Sequence, residues 1–314
     1  VFFKQYWSAG TDPTESTLQL GVANSMGSIL VAAIAPILGA IADRGGARKR
    51  FLAFFAVMGI VMTGAMPLVA RGDWVLAAAL YVIASVGFAG ANIFYDALIV
   101  LVAPEEKRDV VSALGFAMGY LGGGLLFTLN IVMTLRPELF GLPDQAAAVK
   151  ASFVTVAVWW ALFSIPVMLF VKEPPPAERR RPAEVVVGGF RELAHTFHEI
   201  RRLRVVVLFL LGYWLYIDGV DTIVRMAVDF GMSIGFEAES LMIALLIVQF
   251  VGFPAGIAFG QIGKRLGAKT GIFLGLAVYL GVTVWGMFMD EQWEFYLMAV
   301  MIGLVQGGVQ ALSR

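Results

Sequence analysis

Nine runs of mostly apolar residues, each long enough to cross a bilayer, divide this sequence: 18–42, 51–70, 74–103, 110–135, 151–171, 205–228, 239–263, 271–289 and 295–312. A spanning helix needs about 20 such residues. In hydrocarbon a backbone must satisfy its own hydrogen bonds, so the runs are expected to be helices. No two-residue alternation of the barrel kind accompanies them. Charged residues make up 15% of the 314, against about 25% in a soluble domain, and a mean hydropathy of +0.82 agrees with lipid as the solvent. The expected class is an all-α polytopic membrane protein. There is no cysteine, which excludes disulfides, thiolate metal sites and cysteine nucleophiles. His195 and His198 share one charged segment and cannot alone close a metal site. Lysine plus arginine and aspartate plus glutamate balance at 23 each, so net charge gives no hint of a nucleic-acid partner.

Basic residues alternate between loops. The set 43–50, 104–109, 172–204 and 264–269 carries seventeen, whereas the intervening loops carry four, Lys4, Arg71, Arg136 and Lys150. By the positive-inside rule the first set is cytoplasmic, so the first complete span runs inward. Residues 1–7 read as the outer tail of a truncated span before it, with a cytoplasmic amino terminus. The stretch 172–204, rich in proline and charge, reads as a cytoplasmic linker. From Phe190 it is expected to form an interfacial amphipathic helix, with Phe190, Leu193, Phe197 and Ile200 on one side.

A repeat joins the two sides of that linker. GAIADRGGAR at 39–48 returns as GQIGKRLGAK at 260–269, an offset of 221 residues and six spans. Parallel six-span halves are one of the transporter architectures. In a twelve-span scheme the complete runs are then spans 2–10. The expected division is 1–171 (tail of span 1, spans 2–6), the linker 172–204, and 205–314 (spans 7–10), with spans 11 and 12 beyond Arg314.

The first copy of the repeat, with Gly39, Asp43, Arg44, Gly46 and Arg48 followed by Lys49 and Arg50, resembles the loop 2–3 signature of the major facilitator superfamily. Physically, Gly39 admits close helix approach, and Asp43 can face the positive amino end of the next helix. Arg44 and Arg48 can pair with carboxylates across the halves. A basic loop that only fixes topology is the plainer alternative. The second copy has Lys264 where the first has Asp43. The segments GANIFYDAL (90–98), PEEKRDVVSALGFAMGYLGGGL (104–125), YWLYIDGVDTI (213–223) and GLVQGGVQALSR (303–314) resemble the vacuolar amino-acid effluxer-like family and its bacterial relatives. Ile217 stands where the family's helix 7 motif is expected to have asparagine. The resemblance implies a major facilitator fold of two pseudo-symmetric six-helix halves and a transporter of small solutes, linked in yeast to amino-acid release from the vacuole.

Two glycine stripes share a spacing of four, Gly115, Gly119 and Gly123 on span 5 and Gly252, Gly256 and Gly260 on span 8. They can face each other antiparallel, or pack separately within each half. Ionisable residues inside spans are costly and usually functional. On span 4 these are Asp96, beside Asn92 and Tyr95; on span 7 they are Asp218, Asp221 and Arg225, sharing within about 60° a face with Trp214. Asp96 either pairs with Arg44 or Arg48 in an inner gate or lines a wet vestibule. Either span 7 aspartate can take a proton or cation, or hold the amine of a solute. Asn92, Tyr95, Gln249 and Gln306 are candidate cavity residues, or else interhelical glue.

The expected function is a secondary active transporter moving a small polar solute, amino acids by the family resemblance, by alternating access. Alternatives are a cation-coupled sugar or drug transporter of the same superfamily, or a non-transporting receptor or scaffold on the fold. No Walker loop occurs, no catalytic constellation is laid out, and no metal or cofactor is expected beyond a coupling proton or cation. The expected partners are the solute and the bilayer, with no obligate protein partner, in a bacterial inner membrane. If Asp43 acts in gating, Asp43→Asn slows transport in proteoliposomes while equilibrium binding of solute persists; loss of binding in a folded variant would contradict the gating role.

Overall fold

The computed structural model describes residues 2–43, 48–173 and 203–313. The expected amphipathic helix and both histidines lie outside them, as do Arg44 and the side chains of Asp43 and Arg225. After a short helical turn at Phe3–Trp7 come nine long helices: α1 Pro13–Asp43, α2 Arg48–Ala65, α3 Trp74–Ala97, α4 Arg108–Leu135, α5 Gln145–Phe170, α6 Arg204–Ser233, α7 Ala238–Leu266, α8 Ala268–Gly286 and α9 Gln292–Leu312. They correspond in order to expected spans 2–10. All nine are long and apolar enough to cross a membrane, and no strand occurs among the described residues.

Helix ends follow local chemistry. The Asp73 carboxylate accepts from the Leu76 amide at 3.2 Å at the start of α3, and Asp144 accepts from Ala147 at 2.7 Å at the start of α5. Glu291 and Glu294 form a capping box on α9, satisfying donors that a helix start leaves open. Gly267, at φ +84°, ends α7 in a backbone region closed to most side chains and leads directly into α8. The second repeat copy thus spans the end of α7 and the turn into α8, and the described residues of the first lie at the end of α1 and the start of α2.

The helices group into two compact units. The first contains Val1–Val102 and Val132–Glu199, thus α1, α2, α3 and α5. Its core gathers Leu38, Leu52, Phe55, Phe94 and Leu98. A Cβ at Gly87 of α3 would lie 2.7 Å from the Gly59 amide nitrogen and 2.9 Å from the Phe55 carbonyl oxygen on α2, so two backbones touch there. Gly59 in turn admits the Trp160 ring from α5. The Tyr81 hydroxyl donates to Asn24 Oδ1 at 2.6 Å, joining α3 to α1.

The second unit contains Ala103–Ile131 and Ile200–Arg314, thus most of α4 with α6–α9. This grouping differs from the division by repeat, which places span 5 with the first half. The reason is visible in the packing of α4 on α7. Gly260 faces Ala113, Gly256 faces Ala117, and Gly252 faces the Tyr120 ring. Opposite, Gly307 of α9 faces the other edge of Tyr120. The α7 stripe does pack on α4, but not on the expected α4 stripe, since Gly115 and Gly119 do not take part. Both are exposed, and a Cβ at Gly119 would meet nothing within 4 Å. Of the α4 stripe only Gly123 faces α7, where an added Cβ would lie 3.6 Å from Gln249 Nε2. The contacting face of α4 is set two residues away, where alanine is small enough to serve.

Gly39 is likewise open, with nothing within 4 Å of an added Cβ, so it makes no close approach to a described residue. Where backbones do touch, a methyl group must separate them. Gly87→Ala is expected to destabilise the first unit by about 1–3 kcal/mol, the usual cost of overpacking, read as a lower unfolding temperature in detergent. Gly119→Ala should leave that temperature unchanged or slightly raised.

Candidate functional site

On the loop side of α2, backbone amides and charged side chains interlock. The amides of Arg48 and Lys49 donate to the two carboxylate oxygens of Glu173, at 2.9 and 3.2 Å. Lys49 Nζ donates to the carbonyls of Met168 and Val171, at 2.8 and 2.6 Å, at the end of α5. Each helix end thus receives the charge its dipole favours, a carboxylate at the start of α2 and an ammonium at the end of α5. Among the described residues, the carboxylate at the start of α2 is that of Glu173; the side chain of Asp43, expected there, lies outside them. Sequence reasoning proposed Asp43 for that position and passed over Glu173; the available signal was an acid directly after a span and before three prolines. Arg48 and Asp96 are both half-buried.

Asn92 and Tyr95 are brought together. Both line a cavity of about 210 Å³ inside the first unit, with Leu52 and Ala56 from α2 and Trp160 and Ser164 from α5. Trp160 stands edge-on to Phe88 with ring centres 6.0 Å apart. This pocket is walled by spans 3, 4 and 6.

On α6 the expected face divides. Trp214 is 64% exposed and Asp218 is exposed, whereas Asp221 is half-buried beside the wholly packed Val220. Asp221 lies near enough to Tyr279 of α8 for the two to interact electrostatically. Trp214 and Asp218 therefore turn outward from the unit, and Asp221 inward.

The inward side meets a polar line on α9. Gln306, Gln310 and Ser313 recur at helical spacing on one face of α9. The Tyr216 hydroxyl of α6 donates to Ser313 Oγ at 2.8 Å, and Tyr120 of α4 reaches Gln310 Oε1 in a long contact of 3.5 Å. Gln306 is 8% exposed and its Oε1 is buried with no hydrogen-bond partner among the described residues, as is the hydroxyl of Tyr279, 3% exposed. Of these, the sequence had marked Gln306 as a cavity candidate; Tyr120, Tyr216 and Tyr279 were missed, because a tyrosine in an apolar run looks like packing until its hydroxyl is placed. Gln249, the other candidate, packs along Gly123 and Gly124 of α4.

Above this line is an apolar cavity of about 350 Å³ bounded by α6, α7, α8 and α9. Its walls include Thr222, Val282, Thr283 and Ile302. Asp221 is adjacent in sequence to Thr222, and Tyr279 and Gln306 lie one helical turn from Thr283 and Ile302. The polar cluster therefore borders one end of the cavity. A volume in this range suits a small molecule, and apolar walls with a few polar groups are the usual composition of such sites.

The model of the family described as "Vacuole effluxer Atg22 like" matches residues 20–314. The uncharacterized MFS-type transporter YxiO of Bacillus subtilis is 36% identical over 307 residues, covering 98% of this chain and 71% of that protein. Autophagy-related protein 22 of Yarrowia lipolytica is 21% identical over 376 residues, covering 92% of this chain and 63% of the relative. A protein of the same name from Neurospora crassa is 25% identical over 236 residues, covering 67% of this chain and 31% of the relative. The chain thus spans only part of the length of each.

The Glu173 contacts give a direct test. Glu173→Ala leaves the Arg48 and Lys49 amides without their acceptor and is expected to cost about 0.5–2 kcal/mol, the range for losing a helix cap. Thermal unfolding of the purified protein measures it. Glu173→Asp should recover part of the loss, and an unchanged unfolding temperature in Glu173→Ala would show that the contacts do not hold α2 to α5.

Proposed function

Because the chain belongs to the Atg22-like vacuole effluxer family and has the major facilitator fold, we propose that it is a secondary active transporter moving small polar solutes, amino acids in particular, by alternating access. The observation that carries this reading is Asp221, an ionisable group turned into an otherwise apolar helix bundle beside a line of tyrosines and glutamines. Charge inside a span is expensive and marks solute or ion pathways. Binding and release of a proton, a cation or the ammonium of a solute is therefore the work its position supports.

Asp218, one turn earlier on the outward side, offers a second carboxylate to the same pathway, with Trp214 beside it. Arg225 extends the sequence of charges along α6 and is assigned outer gating, as Asp43, Arg44, Arg48 and Asp96 are assigned inner gating. The family comparisons support transport as the activity, and no covalent chemistry is assigned. The solute and the bilayer suffice as partners. The distribution of basic loops supports a cytoplasmic linker, and the bacterial relative supports a bacterial membrane as its place.

The test is exchange of labelled amino acids by protein reconstituted in proteoliposomes, measured across a pH gradient. Asp221→Asn and Asp218→Asn are each expected to reduce coupled transport at least about tenfold, the loss of a group that exchanges a charge in the transport cycle. Arg225→Ala should act more mildly. Full, pH-independent transport by a folded aspartate variant would remove that residue from the pathway, and no amino-acid exchange by the parent protein would overturn the solute assignment.

A further inference from the structure

Three polar residues mark the same face of α9, and they are not treated alike. Ser313 receives a 2.8 Å hydrogen bond from Tyr216 and Gln310 a 3.5 Å contact from Tyr120, so each is met by a tyrosine from another helix. Gln306, one turn further along, has no such partner although its carbonyl oxygen is fully buried. The Tyr279 hydroxyl is buried and unmet in the same core, which also holds Val305 and Val309. Burying an amide or hydroxyl without a hydrogen bond costs free energy, and in a lipid-embedded bundle no bulk water offsets it. A leucine and a phenylalanine would fill these positions without that cost.

We infer that the Gln306 carbonyl and the Tyr279 hydroxyl recognise an uncharged hydrogen-bonding group, a hydroxyl or carboxamide, on the transported solute. The inference rests on the transport of amino acids proposed above and names the side chains that the site prefers. Chemistry divides the work within the cluster. Asp221 is suited to a cation, whereas Gln306 Oε1 offers an acceptor and Tyr279 a hydroxyl able to donate or accept. A ligand carrying both a donor and an acceptor, as a hydroxyl or carboxamide does, meets both groups. The 350 Å³ cavity beginning one turn away provides space for the rest of the molecule. Both atoms are buried in this conformer, so the solute reaches them only when the helices around them rearrange.

The physical consequence is a particular kind of selectivity. A site built to hydrogen-bond a hydroxyl discriminates strongly against the isostere that lacks it, because binding the isostere leaves the protein groups unpaired. An apolar pocket discriminates weakly between the same two. Threonine and valine are such a pair, nearly equal in shape and different in one hydroxyl.

The experiment measures competition of threonine and of valine against a labelled amino acid that the reconstituted parent protein exchanges, and repeats the measurement on Gln306→Leu, Tyr279→Phe and Gln310→Leu. Threonine is expected to compete at least about tenfold better than valine in the parent protein. Gln306→Leu and Tyr279→Phe should each bring the ratio towards one. Gln310→Leu, which removes a group already met by Tyr120, should lower thermal stability and keep the ratio. Binding followed by thermal stabilisation in detergent gives the same ratio for any variant that reconstitutes poorly. A parent protein that exchanges amino acids but treats threonine and valine alike overturns the inference and leaves the transport reading intact. So does an unchanged ratio in both Gln306→Leu and Tyr279→Phe, the result expected if ordered water alone meets these groups. If the parent neither exchanges nor binds any amino acid, the transport reading fails and the inference fails with it.

Discussion

Between helices surrounded by acyl chains there is little hydrophobic drive to associate, because leucine is as well accommodated by lipid as by another leucine. Association depends instead on how closely backbones and side chains approach, and small residues decide that distance. In the first unit the decisive approach is Gly87 on the backbone of Gly59 and Phe55. In the second it is the file Gly252, Gly256 and Gly260 against Tyr120, Ala117 and Ala113. Large aromatic rings then fit into the gaps the glycines leave, Trp160 over Gly59 and Phe259 over Gly308. The contact of Phe259 with Gly308 also fixes which face of α9, the helix that carries Gln306, meets α7.

Span number, span type and approximate limits could be read from apolar runs, because bilayer thickness imposes one length on every helix. Limits moved by a few residues where capping chemistry decided them; α9 begins at its Glu291–Glu294 box rather than at its first long apolar stretch. What could not be read was rotation about the helix axis. Residues 113, 117 and 120 form as plausible a contacting stripe as 115, 119 and 123, and in apolar surroundings no polar face distinguishes them. The same ambiguity separated Asp218 from Asp221. A face shared within about 60° on a helical wheel spans the boundary between exposed and packed.

The candidate site was legible where a residue's presence was itself costly, and obscure where only its partner revealed it. A carboxylate inside a span announces itself, so Asp221 stood out as a candidate. Tyr120, Tyr216 and Tyr279 are ordinary constituents of apolar helices, and only the placement of their hydroxyls opposite Gln310, Ser313 and nothing at all shows their different roles. Glu173 was obscure for a related reason. Its two donors, the Arg48 and Lys49 amides, lie more than 120 residues earlier in the chain, a distance across which sequence pattern carries no register.

The membership of α4 in the second unit bears on the order in which the protein can be built. Ribosomes deliver α4 before α6, α7, α8 or α9 exists, and the alanine face at Ala113 and Ala117 finds its glycine counterpart only when Gly256 and Gly260 have been made. At about 5–20 residues per second that interval is on the order of ten seconds. Throughout it, the alanine face of α4 lacks its glycine counterpart. A nascent chain of this design must therefore complete one helical bundle around a gap in its own sequence, then return to an early helix to complete the next.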